Sequence, residues 1–514
     1  MVPPPSSSVD PVESLVDLFD SCNLSEPENC HLFALPCELT SHILSFVPGV
    51  GLSSFGVCSS RAQALVFDRC VRDSSLMSVK LSSLLDQKDV KTLTNILQKC
   101  PEKTYKTALH LSMTRSWVDQ QPLLLAITKM FVSIQSLKIE PDDEIQEEEL
   151  HQLLPIFPNL RRLDICQSTN LSASFFTEAQ IPLGLESLYL FESAITDQGV
   201  ESLVNRCSKL QELSLVKCRA LTNSIYLQNR LPTGLTALNL SLNTTSDAGL
   251  IALSTHCTNL RVLNLNNNTT LSATVFHELS PPRALQSFSL SGTAIDDQGL
   301  MRCTERCTNL QNLDFSDCRN ITSVALENFQ WSTTLHKLDA SETCIDFVSL
   351  ANCLGRTPQL RSLKLSLCEN IFSAITTQLE PDFKVEELDI TATNVTDSQL
   401  VVLLNAFPRL RILGLSACDK LSANLFIQGP IPSTLEGLRI QKGSITDEGL
   451  KTLAAKCLRL RSLDLTSCAS LTKEVFKEIS FSPSMFWLSL QETSIDSEGL
   501  ENLKKKHPRM IINA

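Results

Sequence analysis

The chain has 514 residues, 43% hydrophobic and 19% charged, with a formal charge of −12 from 44 Lys+Arg against 56 Asp+Glu. This composition describes a globular, core-rich chain rather than a disordered one. The acidic balance argues against a broad nucleic-acid or anionic-membrane footprint but leaves room for a local basic patch.

In chain order, the opening "MVPPPSSSVDPVES" has neither a basic flank nor an apolar stretch, so it does not read as a secretory signal. The 19 cysteines are therefore expected as thiols in a reducing compartment, cytoplasm or nucleus. Residues 1–30 are expected to be a mobile leader, because "PPPSSS" cannot pack; "VESLVDLFDSC" (12–22) has the pattern of one amphipathic turn. Residues 31–72 form a non-repetitive module. In it "LFALPCELTSHILSFVP" (32–48) reads as an amphipathic helix opened by Leu-Pro, followed by the loop "GVGLSSFG" (49–56) and more helix. Those three glycines have the wrong spacing for a dinucleotide turn and follow no strand.

Residues 73–133, with "SLMSVKLSSLL" and "VKTLTNILQKC", read as a helical linker with degenerate first repeats. "ALHLSM" (108–113) is a candidate early rung, and "LLLAITKMF" (123–131), carrying Lys129, is too short to span a membrane. In "SIQSLKIE" (133–140), Ile134, Leu137 and Ile139 carry the spacing of the repeat that follows, one residue out of phase. The run "EPDDEIQEEE" (140–149) reads as a solvated loop and a helix start before Leu150.

From Leu160 to Met485 the motif Leu-x-x-Leu-x-Leu recurs fourteen times in a constant step, beginning at positions 160, 185, 210, 235 and so on to 485 without slippage. The first position departs from Leu only at Val385 and Met485, the fourth only at Phe288, and the sixth is always apolar. Alternate copies differ, so the full unit is a pair of copies. One type, as in "SITDEGLKTLAAKC" (444–457), places Thr446 or Asp447 to cap a helix with Leu450, Leu453 and Cys457 on one face. The other carries an aromatic such as Phe176, Phe276 or Phe476 and then a proline (Pro182, Pro232, Pro282, Pro432), which predicts an irregular outer segment. The expected fold is an α/β solenoid: a leucine-rich-repeat horseshoe of alternating 25-residue repeats over 134–514, preceded by a small all-α module. At the far end, "PRMIIN" (508–513) puts Met510 in register, and the last strand should be short or capped. "KKKH" (504–507) reads as a solvated last turn.

Chemistry is hard to find in this pattern. Cys218, Asn268, Cys318, Cys368, Cys418 and Cys468 share one register two rungs apart, roughly 10 Å at sheet spacing. That exceeds the ~7 Å a disulfide tolerates. Asn268 in the series marks an interior turn slot where a small side chain helps satisfy backbone groups. Cys303 and Cys307 stand one helical turn apart, but no Cys-x-x-Cys or suitably spaced His pair accompanies them, so neither metal nor cofactor is expected. There is no Gly-x-Ser-x-Gly, His-Glu-x-x-His or phosphate loop, which points to a non-catalytic chain.

A binding surface is the natural reading. Thirteen inter-strand spacings give an inner arc of roughly 60 Å, the size of a protein partner. The candidate concave face comprises Arg162, Asp164, Tyr189, Phe191, Asn239, Asn264, Asp314, Lys337, Asp339, Lys364, Glu387, Asp389, Arg439 and Trp487. Of these, Tyr189, Phe191, Asp314, Lys337, Asp339, Lys364, Glu387, Asp389, Arg439 and Trp487 are the candidate substrate-binding residues. Middle copies lean acidic, and aromatic anchors (Tyr189 with Phe191, Phe486 with Trp487) lie near the two ends.

The front module resembles an F-box through Leu35-Pro36-x-Glu38-Leu39, then Ile43-Leu44-Ser45-Phe46-Val47, then Leu52 and Val57-Cys58. "CSKLQELSLVKC" (207–218) and "ITDEGL" (445–450) resemble the cysteine-containing repeats of F-box/leucine-rich-repeat proteins. In place of the family's frequent Trp after Val-Cys stands Arg61, and the repeat is about one residue shorter than is usual there. The resemblance implies a substrate receptor of a Skp–cullin–F-box ubiquitin ligase. It also implies that Leu35, Pro36, Glu38, Ile43, Leu44, Val47 and Cys58 form the contact with a Skp-type adaptor, while the repeats hold a protein substrate. Nucleic acid and membrane are not expected partners. The competing reading is a scaffold or inhibitor similar to ribonuclease-inhibitor-type repeat proteins, which would not need the front module.

Overall fold

The computed structural model describes residues 66–68, 77–81, 109–114, 134–140 and 146–514, the last stretch apart from 167–168, 170, 179–180, 329–331, 370 and 373–382. Two compact units divide the chain: Met1–Asn170 with Gln180–Leu185, and Leu171–Ala179 with Glu186–Ala514. The leader, most of the front module and the linker segment "VKTLTNILQKC" lie outside the described residues.

In the first unit, β1 (Val66–Asp68) pairs antiparallel with β2 (Met77–Leu81). Helix was expected at 66–68; the stretch is instead a short strand, in keeping with its β-branched and aromatic Val66 and Phe67. Then β2, β3 (Leu109–Thr114), β4 (Ile134–Glu140) and β5 (Arg162–Ile165) run parallel. The phase slip at 134–139 is the observed register: Leu137 lies opposite Leu163 and Ile139 opposite Ile165, one place further along than in the later rungs. The acidic run ends as the first turn of helix Glu147–Leu153, where the Glu149 carboxylate accepts the Gln146 N–H at 2.7 Å.

The second unit is a leucine-rich-repeat solenoid. From β6 (Ser187–Phe191) to β19 (Ile511–Asn513), each strand pairs parallel with the next in one constant register, Leu188 opposite Leu213 and Leu213 opposite Leu238. The last pair alone falls one place short of that step, with Trp487 opposite Ile511. Leucines at the first, fourth and sixth motif positions are buried, and Phe288 fits the fourth position fully buried. Immediately past each strand, one residue per rung from Glu192 to Glu492 has φ between 52° and 65°, and Gly292 is the single glycine in that series. Each non-glycine residue of the series costs on the order of 1 kcal/mol. The ladder repays it locally: Lys217, Leu242 and Asn267, for example, donate their N–H to the carbonyls of Ser241, Asn266 and Ser291 on the next rung.

The alternation follows from two contacts. In helix-bearing rungs Thr196, Ser246, Asp296 and Asp496 cap the N-terminus by accepting the N–H of a glycine three residues on. The following Asp is not the cap. It reaches the next rung: Asp447 accepts from the N–H of Thr472 at 2.8 Å and its hydroxyl at 2.5 Å. Asp297 does the same with Thr322, Asp247 with Ser272, Asp197 with Thr222 and Asp397 with Ser422. The glycine admits the preceding rung's aromatic. A Cβ on Gly299 would lie 2.7 Å from the Phe276 Cβ, and on Gly449 or Gly499 it would lie 3.0 Å from Phe426 or Phe476. The second type of rung is less irregular than its prolines imply. It holds short helices such as Ala273–Glu278 and Lys473–Glu478, because the proline falls after a helix that already ends at an extended cap, Leu279 or Ile479.

The cysteine slot is a polar spine, as its register implied. On alternate rungs from Leu240 to Ile390, the carbonyl of the sixth residue is taken by a side chain of its own rung and one of the next. The Leu290 carbonyl accepts from Thr293 at 2.7 Å and Cys318 at 3.2 Å; Ala340 accepts from Thr343 and Cys368, and Ile390 from Thr393 and Cys418. Asn268 bonds the Leu240 and Leu265 carbonyls at 2.8 and 2.9 Å. The spine cysteines are free thiols. Cys303 and Cys307 are likewise buried, each against a backbone carbonyl.

Two outcomes follow. Gly299→Ala should lower stability by about 1–3 kcal/mol in a urea melt, because the Cβ forces backbone apart rather than a side-chain tip. Burial pushes the Cys218, Cys318 and Cys468 thiols up to about 11 from 9.0. The folded chain keeps those protons where the unfolded chain has lost them, so their contribution is complete below the unfolded value and lost as pH rises through the folded one. The denaturation midpoint should fall between pH 9 and about 11, and mass-mapped alkylation below that range should reach exposed Cys344 before the spine thiols.

Candidate functional site

Strand alternation sends the third and fifth motif residues out on one exposed sheet face. The fifth position forms a row on successive rungs: Asn239, Asn264, Ser289, Asp314, Asp339, Lys364, Asp389, Gly414, Arg439, Asp464 and Ser489. Several acids here first serve their own strand. Asp314, Asp339 and Asp389 accept the N–H two residues on, from Ser316, Ser341 and Thr391, at 3.0, 3.2 and 3.1 Å. Where the fifth residue cannot do so, the preceding rung supplies the acceptor: Ser366 N–H goes to Ser341 Oγ, and Gln441 N–H to Ser416 Oγ. The carboxylates on this face are thus held by the ends of their strands, with their remaining lone pairs toward the face.

Among the predicted site residues the structure brings one group together. Lys337, Asp339, Lys364, Glu387, Asp389 and Arg439 lie on neighbouring rungs. Lys364 Nζ is 3.6 Å from Asp339, and Glu387 accepts from Ser362 Oγ at 2.8 Å. Arg439 reaches across a rung to Glu387 at 3.9 Å and Asp389 at 4.0 Å. Tyr189 is tied through its hydroxyl to the Glu212 carboxylate, which also accepts from Ser187. Phe191 is 36% exposed on the same strand. Trp487 stands two rungs beyond Arg439, opposite Ser462 and Ile511. The proposed adaptor-contact residues Leu35, Pro36, Glu38, Ile43, Leu44, Val47 and Cys58 lie outside the described residues.

Ile412, Gly414 and Gly437, third- and fifth-position residues left out of the candidate set, make this group possible. They leave a low, uncharged floor between Asp389 and Arg439: a Cβ on Gly414 would sit 2.5 Å from Asp389 Oδ1. The signal was available, since glycine inside a strand marks close approach. Along the rim where the chain enters the strands runs a second charge row. Arg361 pairs with Glu386 at 3.4 Å, and Arg411 pairs with Glu386 at 3.2 Å and Glu436 at 2.9 Å. The Arg411 guanidinium, hydrogen-bonded to Glu436, holds that carboxyl below its ordinary range.

Among the described residues no group of three or more His, Cys, Asp and Glu side chains is arranged to hold a metal. A leucine-rich-repeat family model matches residues 233–254. No curated protein matches the chain. Solved structures similar to it include an internalin from Listeria monocytogenes (21% identity, 63% of this chain and 90% of that one, TM-score 0.39). Others are a Leptospira interrogans leucine-rich-repeat protein (18%, 84% and 92%, 0.35) and the yeast Rad7–Elc1 complex (14%, 94% and 98%, 0.39). At these scores the likenesses say nothing about this chain's partners.

Gly414→Ala should displace the Asp389 carboxylate from Thr391 N–H and from Arg439, costing about 1 kcal/mol. In a double-mutant cycle with Asp389→Ala, urea unfolding should show the two losses to be clearly less than additive.

Proposed function

We propose that this leucine-rich-repeat protein is the substrate-recognition subunit of a cullin-based ubiquitin ligase, with a front module that docks a Skp-type adaptor and an exposed sheet face that binds a protein substrate. The observation that carries the coupling half is the run Leu35-Pro36-x-Glu38-Leu39 with Ile43-Leu44 and Val57-Cys58, which resembles an F-box. An F-box reading gives this Leu-Pro pair a physical sense, since proline suits the first turn of a helix and leucine is an apolar anchor. The recognition half is supported by the polar and charged rows on one sheet face, whose acids are oriented by their own strands. Side chains held in advance lose less entropy on binding. Lys337, Lys364 and Arg439, with carboxylates between them, suit a partner of mixed charge, and Trp487 and Phe191 are candidate anchors near the two ends of this row.

In this reading the chain forms no bond itself. It raises the effective concentration of substrate near a ligase-bound donor, in the cytoplasm or nucleus. The alternative is a scaffold or inhibitor that binds its partner on the same face without an adaptor.

Purified full-length chain titrated with a Skp-type adaptor should bind with a dissociation constant of about a micromolar or tighter. Leu35→Ala/Pro36→Ala should weaken that binding at least about tenfold while leaving the thermal melt of the repeats unchanged. A folded wild-type chain that does not bind would remove the ligase reading and leave the scaffold.

A further inference from the structure

The rim where the chain enters its strands changes character along the array. In helix-bearing rungs, the residue just before the motif is Lys209, Asn259, Asn309 and Gln359, then Arg409, Arg459 and Arg509. All seven are exposed, so the slot itself makes no demand for charge. Asn259 shows what a structural occupant does there: its amide donates to the Thr233 carbonyl at 3.0 Å. The side chains of the three arginines, and of Arg461, form no ion pair and no hydrogen bond among the described residues. Two carboxylates on this stretch, Glu386 and Glu436, are already bridged by Arg411. Arg459 and Arg461 feel Glu436 only at a distance, so guanidinium groups without a direct partner recur every second rung, about 10 Å apart at sheet spacing, on a chain whose net charge is −12.

Apolar side chains interrupt the row. Leu458 is 64% exposed beside Arg459, and Phe486 is 42% exposed on the rung between Arg461 and Arg509. Neighbouring Lys456 and Lys506 sit at helix C-termini, where cations are ordinary complements of the dipole; Lys506 donates to three carbonyls there. Arg409, Arg459 and Arg509 follow those helices in the turns and have no such duty.

We propose that this rim is a second interaction surface, separate from the exposed sheet face, and that its occupant is an acidic protein segment with interspersed leucine or phenylalanine. Charge complementarity selects the acid. Forked guanidinium groups bind carboxylates two-point, and spacing on alternate rungs lets one extended strand meet several of them. From Arg409 to Arg509 the row spans four rungs, about 20 Å, which roughly six extended residues cover. Leu458 and Phe486 would bury the apolar side chains between the acids. A peptide is favoured over nucleic acid because the row is short and the chain as a whole is acidic. The surface does not depend on the adaptor contact, so it stands or falls apart from the ligase reading.

The test is fluorescence anisotropy of the full chain with a short labelled peptide of glutamates interspersed with leucine. Arg409→Glu/Arg459→Glu/Arg509→Glu should weaken binding about tenfold or more, with unchanged circular dichroism, and the three-lysine variant at the same positions should stay within about threefold. The control is the same charge change on the opposite rim, Arg319→Glu/Lys420→Glu/Lys442→Glu, whose side chains are exposed where the chain leaves its strands. It should bind close to wild type. Absence of binding by wild type, an equal loss in the control, or displacement of the peptide by a much lower concentration of single-stranded oligonucleotide would each overturn the proposal.

Discussion

Alternate rungs of this array, from Leu240 to Ile390, solve the same problem at the end of the strand. The chain turns out of the sheet, and the carbonyl of the sixth motif residue would be left buried without a donor. An unsatisfied buried carbonyl costs about 1–3 kcal/mol, and the problem recurs on every second rung, so the fold depends on solving it cheaply and repeatedly. Thr293 with Cys318, Thr343 with Cys368 and Thr393 with Cys418 solve it by sharing one carbonyl between two rungs. The left-handed residue just before the slot belongs to the same turn, and its own N–H stays in the ladder. Cysteine is common here because its thiol is small, apolar in outline and able to donate weakly. Redox chemistry has no part in this use of it.

The exposed face inherits its order from the same strand ends. Because Asp314, Asp339 and Asp389 close the turn after the strand, their carboxylates are fixed whether or not a partner is present. Arg439 can span a whole rung to Asp389 because Gly414 leaves the intervening place bare. Structural economy and presentation of charge are the same set of hydrogen bonds. A substitution on this face therefore affects the turn as well as any partner.

The leucine phase was readable along the chain, because burial at the first, fourth and sixth positions is a local pattern that one sequence displays. The slip at Ile134, Leu137 and Ile139 was readable for the same reason, and it reappears as the lengthened offset between β4 and β5. The role of the aspartates was not. Asp447 looks like a capping residue from its neighbours, whereas its partner, Thr472, lies on the following rung. The glycine in "ITDEGL" likewise answers to Phe426, on the previous rung. On the exposed face, Asp314, Asp339, Lys364, Asp389 and Arg439 follow one another in ladder register, but the floor was overlooked because Gly414 and Gly437 define it by side chains that are missing. The arginine row escaped because it stands outside the leucine frame.

The two junction contacts both run forward along the chain, but they join the two kinds of rung in opposite order. An aspartate hands its carboxylate forward from a helix-bearing rung to the serine or threonine of a short-helix rung. The aromatic of that short-helix rung packs forward against the glycine of the next helix-bearing one. Neither junction can be exchanged for the other. Duplicating or losing two adjacent rungs leaves every junction matched, whereas losing a single rung sets an aspartate against a neighbour without its hydroxyl, or an aromatic against one without its glycine. An array of this kind lengthens and shortens in pairs, and its evolutionary quantum is twice its visible repeat.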